Sequence, residues 1–381
     1  MRYIFSMLLT IALTGVTLES ISTARASSLP NAAPTGSPAE SPEAMAPYHA
    51  RFHRDRPIVA VIAENSGTEL VDFVVPYGVL ARSGVAEVIA VATREGPVTM
   101  RPALQIEPQA TIAQFDARFP EGADYVIVPF MVQFKNPVLL GWIKAQADTG
   151  STMVSICDGA IVLAEAGLLR QRRATAHWAS ESMRRDMYRQ TRWVNNARYV
   201  VDGPVASSAG ISAALPMSLA IVEAIAGHDV AATVAGTLGT TDWSPAHDSE
   251  RFSSGHGAMF DAVSTMQITN RLFHSTQRVG INVTPGIDEI ALALTADAYS
   301  RTGRSQAFAI ADAPVLTQQG LTILPARIKG AAPRIDVMLP AFDTTPPARI
   351  LDQALASITT RYGRSTAYEV AAAFEYPGFQ K

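Results

Sequence analysis

The sequence STMVSICDGAIVLAEAG, residues 151–167, joins two kinds of pattern and contains the only cysteine of the chain, Cys157. Residues 151–156 form a run typical of a buried strand, and residues 158–167 are typical of a helix that ends at a glycine. A strand that passes through a tight turn directly into a helix lifts the residue at the turn above the edge of a sheet, as in a nucleophile elbow. The stretch therefore predicts an α/β fold with Cys157 at the carboxyl edge of the sheet.

Strand and helix patterns alternate on both sides of this stretch. The apolar run PIVAVIA begins at Pro57, the helix pattern LVDFVVPYGVLARSG follows and ends at Gly84, and VAEVIAVAT is again a strand pattern. The alternation continues to about residue 238. Because strands that alternate with helices indicate a parallel sheet, we predict one α/β domain over residues 57–238.

The C-terminal part of the chain resembles the first part. Residues 70–84 align with residues 289–303, and residues 96–108 align with residues 313–325. This alignment predicts a connection over residues 239–280 and a partial second copy of the α/β unit over residues 281–381. Chance similarity between α/β units is the alternative. Cys157 has no counterpart in the second copy and Ala291 stands opposite Asp72, so we expect the chemistry in the first copy.

The first 26 residues have the pattern of an export signal, with Arg2, an apolar run and an Ala-Arg-Ala cleavage pattern at residues 24–26. We therefore expect a periplasmic or secreted protein; an uncleaved membrane anchor is the alternative. Residues 27–56 contain five prolines among alanine, serine and glycine, which predicts a linker. No later segment is long and apolar enough to predict a stable membrane span.

Composition excludes several classes of partner. The formal net charge is −3, from 31 basic and 34 acidic residues, so we expect no nucleic-acid binding. The seven histidines lack ligand spacing, His247 and His256 included, so we predict no metal site. We find no glycine-rich phosphate loop and predict no cofactor. A single cysteine cannot form an internal disulfide, so the fold must depend on packing.

Cys157 is the first candidate for chemistry. The N-terminus of the helix that follows is expected to favour the thiolate and lower the thiol pKa. Gly159 permits the close backbone approach that such a turn needs. The backbone N–H groups after the cysteine, those of Asp158 and Gly159, are expected to stabilise a developing negative charge. The alternative is a buried cysteine that only packs in the core.

A histidine and a carboxyl group are the candidate partners. His177 is expected near the same edge of the sheet, where it could exchange protons with Cys157; a structural histidine is the alternative. Glu64, Glu69 and Asp72 lie near the first strand-to-helix connection. Asp72 has apolar neighbours, so burial should raise its pKa and leave it able to donate a hydrogen bond, in a titration coupled to that of the thiol. An ordinary acid in the first helical turn is the alternative.

Seven arginines lie between residues 170 and 192, on both sides of His177. They could attract an anionic ligand. A solvated, ion-paired face is the alternative interpretation.

Residues 155–178, SICDGAIVLAEAGLLRQRRATAHW, and residues 199–227 resemble the ThiJ/PfpI superfamily, in particular the branch shared by isocyanide hydratases and the ligand domains of AraC-type regulators. The resemblance covers residues 57–238. It implies a flavodoxin-like α/β sandwich that dimerises, with Cys157 as nucleophile and Asp72 as its acidic partner. His177 matches the histidine of the family's pattern.

The chain departs from that pattern in three places. Pro129-Phe130-Met131 stands where the family usually has Pro-Gly-Gly, so the N–H of Phe130 takes the place of a glycine N–H that would hold an oxyanion. Pro216 replaces an acid common in the regulator branch. The partial second copy replaces the helix-turn-helix module of the regulators, which argues against DNA binding.

Together these features favour an exported, cysteine-dependent, cofactor-independent enzyme of hydratase, hydrolase or lyase type that acts on small electrophilic molecules. Hydration of an isocyanide, or addition of water to a dicarbonyl, fits such a site. The alternative is a non-catalytic module of the same fold that senses a ligand or oxidation, or mediates an interaction.

Overall fold

The computed structural model describes residues 44–52, 54, 56–253, 269–270, 272, 274–327, 330–342 and 345–380. The predicted export signal, the first part of the predicted linker and His256 lie outside these residues. Within the described ranges, no helix combines the length and the apolar character that a bilayer crossing requires. The described chain belongs to one compact unit, Pro42–Lys381.

Short strands and helices alternate along the chain, as the pattern predicted. The strands are β1 (Ile58–Ala63), β2 (Thr68–Glu69), β3 (Glu87–Ala92), β4 (Val98–Arg101), β5 (Gln105–Glu107), β6 (Ala110–Thr111), β7 (Tyr125–Val128), β8 (Thr152–Ser155), β9 (Arg173–Ala174), β10 (Arg192–Trp193), β11 (Tyr199–Asp202), β12 (Val205–Ser208), β13 (Gln277–Asn282), β14 (Ser305–Ile310), β15 (Val315–Leu316), β16 (Thr322–Ile323) and β17 (Val337–Met338). The α-helices whose bounds are described are α1 (Leu70–Ser83), α2 (Ile112–Arg118), α3 (Pro137–Asp148), α4 (Gly159–Glu165), α5 (Glu181–Met187), α6 (Ala214–Ala226), α7 (His228–Leu238), α8 (Glu250–Ser253), α9 (Glu289–Arg301), α10 (Ile350–Tyr362) and α11 (Arg364–Ala373).

The main sheet has the strand order β11-β12-β8-β7-β1-β3-β6. All its pairs are parallel except β11 with β12, which confirms the predicted mixed α/β fold with a mostly parallel sheet. β1 is an interior strand, between β7 and β3, and every one of its residues is buried. Because side chains of a strand alternate between the two faces, β1 contributes to two separate cores. Val59 and Val61 pack in the core that includes α1 and α6, whereas Ile58 and Ile62 pack in the core that includes α3 and α4.

The C-terminal part forms a second, smaller parallel sheet with the order β14-β13-β17. Helix α9 packs against both β14 and α1. A third sheet, β15-β16-β5-β4-β2, contains strands from both parts of the chain, because β16 pairs antiparallel with β5. The C-terminal part of the chain therefore shares a core and a sheet with the first part.

The described part of the predicted linker contacts the α/β domain. The N–H of Tyr48 donates to the carbonyl of Ala224 over 2.7 Å, and the Arg54 guanidinium lies 2.9 Å from the Asp124 carboxylate. These bonds attach the chain before β1 to the outside of the domain.

Gly159 is the first residue of α4 and packs directly on the backbone of β7. A Cβ atom at this position would lie 1.9 Å from the carbonyl oxygen of Val128, so any larger residue must displace the strand or the turn. The glycine of the quoted stretch is thus required for close approach, as the sequence predicted.

We expect Gly159→Ala to lower the free energy of unfolding by about 2 kcal/mol or more, because the added methyl group meets a backbone atom that cannot move freely. Gly141→Ala is the matched control: the site is exposed within α3, and an added Cβ would have no neighbour within 4 Å. Urea unfolding followed by circular dichroism measures both variants. Equal urea midpoints for the two variants would contradict the conclusion that the contact with Val128 requires glycine at position 159.

Candidate functional site

Cys157 lies in the tight turn between β8 and α4, where the sequence placed it. Its backbone adopts φ 54°, in the left-handed region that non-glycine residues rarely occupy. The N–H of Cys157 donates to the hydroxyl of Ser208 on β12 over 3.3 Å, which ties the turn to the neighbouring strand. The residue is buried, with 5% of its surface exposed. Backbone strain held in place by surrounding structure is typical of functional sites, and Cys157 is one of the strained residues of this chain.

Three hydrogen bonds form a closed ring beside the cysteine. The N–H of Glu69 donates to the carbonyl of Phe130 over 2.9 Å, and the N–H of Phe130 donates to Asp72 Oδ2 over 3.2 Å. The N–H of Asp72 completes the ring by donating to Glu69 Oε2 over 2.6 Å. Glu69 is thereby the N-cap of α1. The ring fixes the position of the Asp72 carboxyl group relative to the chain that follows β7.

Asp72 carries a proton at neutral pH. Burial raises its pKa to about 8, and the hydrogen bond from Phe130, the Glu69 carboxyl and the Arg301 guanidinium offset that effect only in part. Its Oδ1 atom is buried and has no hydrogen-bond partner among the described residues. Because Oδ2 accepts the N–H of Phe130, we assign the proton to Oδ1. Asp72 is thus buried and its pKa is raised, which is the direction that the sequence predicted.

The pKa of the Cys157 thiol is raised well above its ordinary value, opposite to the predicted lowering. Burial is the main cause, and the carboxyl groups of Asp72, Asp158 and Glu69 add to it, whereas a hydrogen bond from the N–H of Asp158 lowers the pKa. Burial and the three carboxyl groups thus outweigh the lowering expected from the start of α4. The thiol is thus protonated in the resting site.

His177 directs both ring nitrogens at backbone groups. Nδ1 accepts the N–H of Ala179 over 3.1 Å, and Nε2 lies 3.0 Å from the carbonyl of Ala373, so the ring carries its proton on Nε2. No hydrogen bond joins His177 to Cys157 among the described residues. The arrangement corresponds to the structural alternative and leaves no ring nitrogen free to exchange a proton with the thiol.

Two of the three predicted oxyanion donors have other acceptors. The N–H of Phe130 bonds Asp72, and the N–H of Gly159 donates to the carbonyl of Ile156 over 2.8 Å. Of the three predicted donors, the N–H of Asp158 is the one that lowers the pKa of the thiol through a hydrogen bond. The predicted roles of Phe130 and Gly159 must therefore be corrected: the first positions Asp72, and the second closes the turn.

Of the other candidate carboxyls, Glu64 accepts the N–H of Ser66 over 2.9 Å. Two further residues were not among those predicted from the sequence. Arg301 on α9 has its Nη2 2.6 Å from Glu69 Oε1. Glu375 lies 2.9 Å from His247 Nε2 and accepts the N–H of Trp178 over 3.3 Å. The signal for Arg301 was present, since the repeat alignment pairs it with Arg82.

Three of the seven arginines around His177 form ion pairs. Arg172 and Arg192 lie within 4.0 Å of the Asp202 carboxylate, and Arg185 pairs with Glu181 over 2.9 Å. Arg184 is buried and donates to the carbonyl of His177 over 2.5 Å. These contacts favour the ion-paired interpretation. Within the described ranges, no three His, Cys, Asp or Glu side chains are grouped so as to hold a metal ion.

Comparison with known proteins identifies relatives of residues 58–224, which match the DJ-1/PfpI family. An isonitrile hydratase of Pseudomonas putida is 30% identical over 167 residues, which are 43% of this chain and 70% of that protein. The HTH-type transcriptional regulator CdhR of Pseudomonas aeruginosa is 35% identical over 99 residues, 26% of this chain and 29% of the regulator. The crystal structure of Drosophila melanogaster DJ-1beta is 23% identical, with a TM-score of 0.45, and the match covers 49% of this chain and 100% of that chain.

We expect Asp72→Asn to make the stability of the fold less dependent on pH. The folded-state pKa of about 8 lies above the ordinary value of 3.8, so the folded protein retains a proton that the unfolded chain loses. The stability of the wild type therefore falls as the pH rises from about 4 to about 8, by up to about 1.4 kcal/mol per pH unit for this group. Asparagine keeps the acceptor for Phe130 and removes this loss, so its advantage over the wild type should grow from pH 5 to pH 7.5.

Urea unfolding at a series of pH values measures the difference. Glu107→Gln, at an exposed position of β5, is the control and should give a difference that does not change with pH. If the difference in unfolding free energy between Asp72→Asn and the wild type likewise did not change with pH, the assigned protonation state of Asp72 would be contradicted.

Proposed function

The chain belongs to the DJ-1/PfpI family, and we propose that it is a cysteine-dependent, cofactor-independent enzyme that acts on small electrophilic molecules. The observation that carries the proposal is the pairing of a strained, left-handed Cys157 with a buried, protonated Asp72. The carboxyl pKa of about 8 is close to neutral pH, which is the range in which a general acid or base is most effective.

The raised pKa of the thiol requires that formation of the sulfur–carbon bond and loss of the thiol proton are coupled. In the proposed addition to an isonitrile, sulfur bonds to the terminal carbon and Asp72 Oδ1 delivers its proton to that carbon. The thiol proton then returns Asp72 to its neutral form. The product is a thioimidate in which carbon has gained one hydrogen and one sulfur substituent, so that atoms and electrons balance.

Water completes the proposed reaction. It adds to the thioimidate carbon, with its hydroxyl on carbon and its second proton on nitrogen. The carbon–sulfur bond then breaks, the sulfur takes the hydroxyl proton, and an N-substituted formamide leaves. Cys157 and Asp72 end as they began. Addition to a dicarbonyl begins in the same way, with the carbonyl oxygen as the atom that receives the proton of Asp72.

The second candidate function is a ligand-binding module without catalysis. It is favoured by the single backbone N–H that remains near the sulfur, since an oxyanion donor is often worth about 3 kcal/mol of barrier. Redox sensing is disfavoured, because cysteines that sense oxidants are exposed and have a low pKa, and Cys157 has neither property. We further propose that the protein acts in the periplasm or outside the cell, on the basis of the export pattern in residues 1–26.

A panel of isonitriles and dicarbonyls tests the proposal. We expect turnover by the wild type and a decrease of about 1,000-fold or more in kcat/KM for Cys157→Ser, because the weaker nucleophile must make the same bond. Asp72→Asn should lose about 100-fold or more, because an amide cannot deliver the proton. Glu107→Gln should match the wild type.

Equal rates for the wild type and Cys157→Ser would eliminate the enzyme proposal. Thermal stabilisation of the wild type by a panel compound that it does not turn over would instead support the ligand-binding module.

A further inference from the structure

Two ion pairs join α1 and α9 in a reciprocal manner. Arg301 Nη2 lies 2.6 Å from Glu69 Oε1, and Arg82 Nη2 lies 2.5 Å from Asp288 Oδ2. The alignment of residues 70–84 with residues 289–303 makes Arg82 and Arg301 counterparts. It also places Glu69 and Asp288 at equivalent positions, and each of these acids is the N-cap of its own helix. A contact in which each partner uses the same surface is the mark of two-fold symmetry between subunits.

The strands of the two aligned segments also pair through counterpart residues. Ile106 on β5 pairs with Ile323 on β16 in antiparallel register, and the alignment of residues 96–108 with residues 313–325 makes these two isoleucines counterparts. The order β3-β1-β7 in the main sheet matches the order β14-β13-β17 in the small one, with all neighbours parallel. The C-terminal segment thus packs on the first domain as a second subunit packs in an isologous dimer.

We propose that the C-terminal segment stands in for a second subunit and that its Arg301 is a positioning residue of the Cys157 site. The proposal rests on the proposed function only in that Cys157 and Asp72 are taken as the reacting pair. Arg301 acts on them through Glu69, and it has no direct contact with a substrate.

The two ion pairs have different surroundings, and only the pair of Arg301 is connected to the Cys157 site. Arg301 is held between Glu69 and the fully buried Asp297, and its guanidinium lies 5.6 Å from the ring of Phe374. The other oxygen of Glu69 accepts the N–H of Asp72, so the cation fixes one member of the ring that holds the acid. In the counterpart pair, the side chain of Asp288 accepts the N–H of Ala291, which has no group that could react.

Charge gives Arg301 a second effect on the site. Glu69 faces Asp72 on its own helix, Arg301 and Asp297 on α9, and Cys157 across the turn. Burial and the neighbouring Asp72 raise the pKa of Glu69 to about 7, although Arg301 lowers it. Without Arg301, each anion in this coupled group becomes harder to form, the thiolate included. The C-terminal segment therefore sets the protonation of a site in the first domain.

The pH dependence of Cys157 alkylation tests the proposal, because the chain has a single cysteine and iodoacetamide reports only on it. We expect Arg301→Met to move the midpoint of the rate profile upward by about one pH unit or more, the effect of removing one nearby opposite charge. The matched control is Arg82→Met, which breaks the counterpart ion pair and should leave the profile on that of the wild type. Arg301→Lys keeps the charge and should restore at least half of the shift.

Superimposable profiles for Arg301→Met and Arg82→Met would overturn the proposal. If Arg301→Met does not fold by circular dichroism, Glu69→Gln takes its place; this variant removes an anion that raises the thiol pKa and should move the midpoint downward. An unmoved midpoint in Glu69→Gln would likewise overturn the proposal. The alkylation rate is measured without substrate. A lack of turnover of the isonitriles and dicarbonyls would therefore count against the proposed function but not against the role of Arg301.

Discussion

The ring of hydrogen bonds among Glu69, Asp72 and Phe130 is the constraint on which the site depends. It joins the start of α1 to the chain after β7, and these two segments flank the turn that carries Cys157. All three donors are backbone N–H groups. Two of them, those of Glu69 and Asp72, lie at the start of α1, where a helix would otherwise leave them unpaired. The ring thus satisfies the backbone and holds a carboxyl group in one orientation next to a thiol. Phe130 can replace a glycine here because the bond it makes is a backbone bond, although this use removes the N–H as an oxyanion donor.

The second determinant is a balance of buried charges. Four carboxyl groups, one thiol and two guanidinium groups form a chain of neighbouring charges. They are Glu69, Asp72, Asp158, Asp297, Cys157, Arg301 and Arg184, the last beside Asp158. Burial disfavours every anion in this group, and two cations cannot compensate for all of them. Protons therefore remain on Asp72 and on the thiol. A site in this state suits chemistry in which a proton and a sulfur–carbon bond are transferred together, and it suits poorly any role that needs a persistent thiolate.

Sequence predicted the features that depend on local pattern and failed where long-range contacts decide. The strand-to-helix turn at Cys157, the need for Gly159 and the burial of Asp72 were each readable from a few neighbouring residues. The thiol pKa was not, because its direction depends on how completely the site is covered. The ring nitrogens of His177 are bound by Ala179 and by Ala373, nearly 200 residues further on, and no motif records such a contact. The sequence alignment identified Arg301 only as the counterpart of Arg82. Its position beside Glu69 could not be predicted, because it depends on how α9 packs on α1.

The internal pairing of α1 with α9 also bears on the expected homodimer. An isologous surface can be used once, and here the surface formed by α1 and β5 is covered by the chain's own α9 and β16. A homodimer of this protein would therefore have to use another face. A site completed by a separate subunit is lost as the protein is diluted below the dissociation constant of the dimer, because assembly depends on concentration. Because the C-terminal segment belongs to the same chain, its effective concentration is set by the connecting chain and does not fall on dilution. The proposed contribution of Arg301 is then available at every protein concentration.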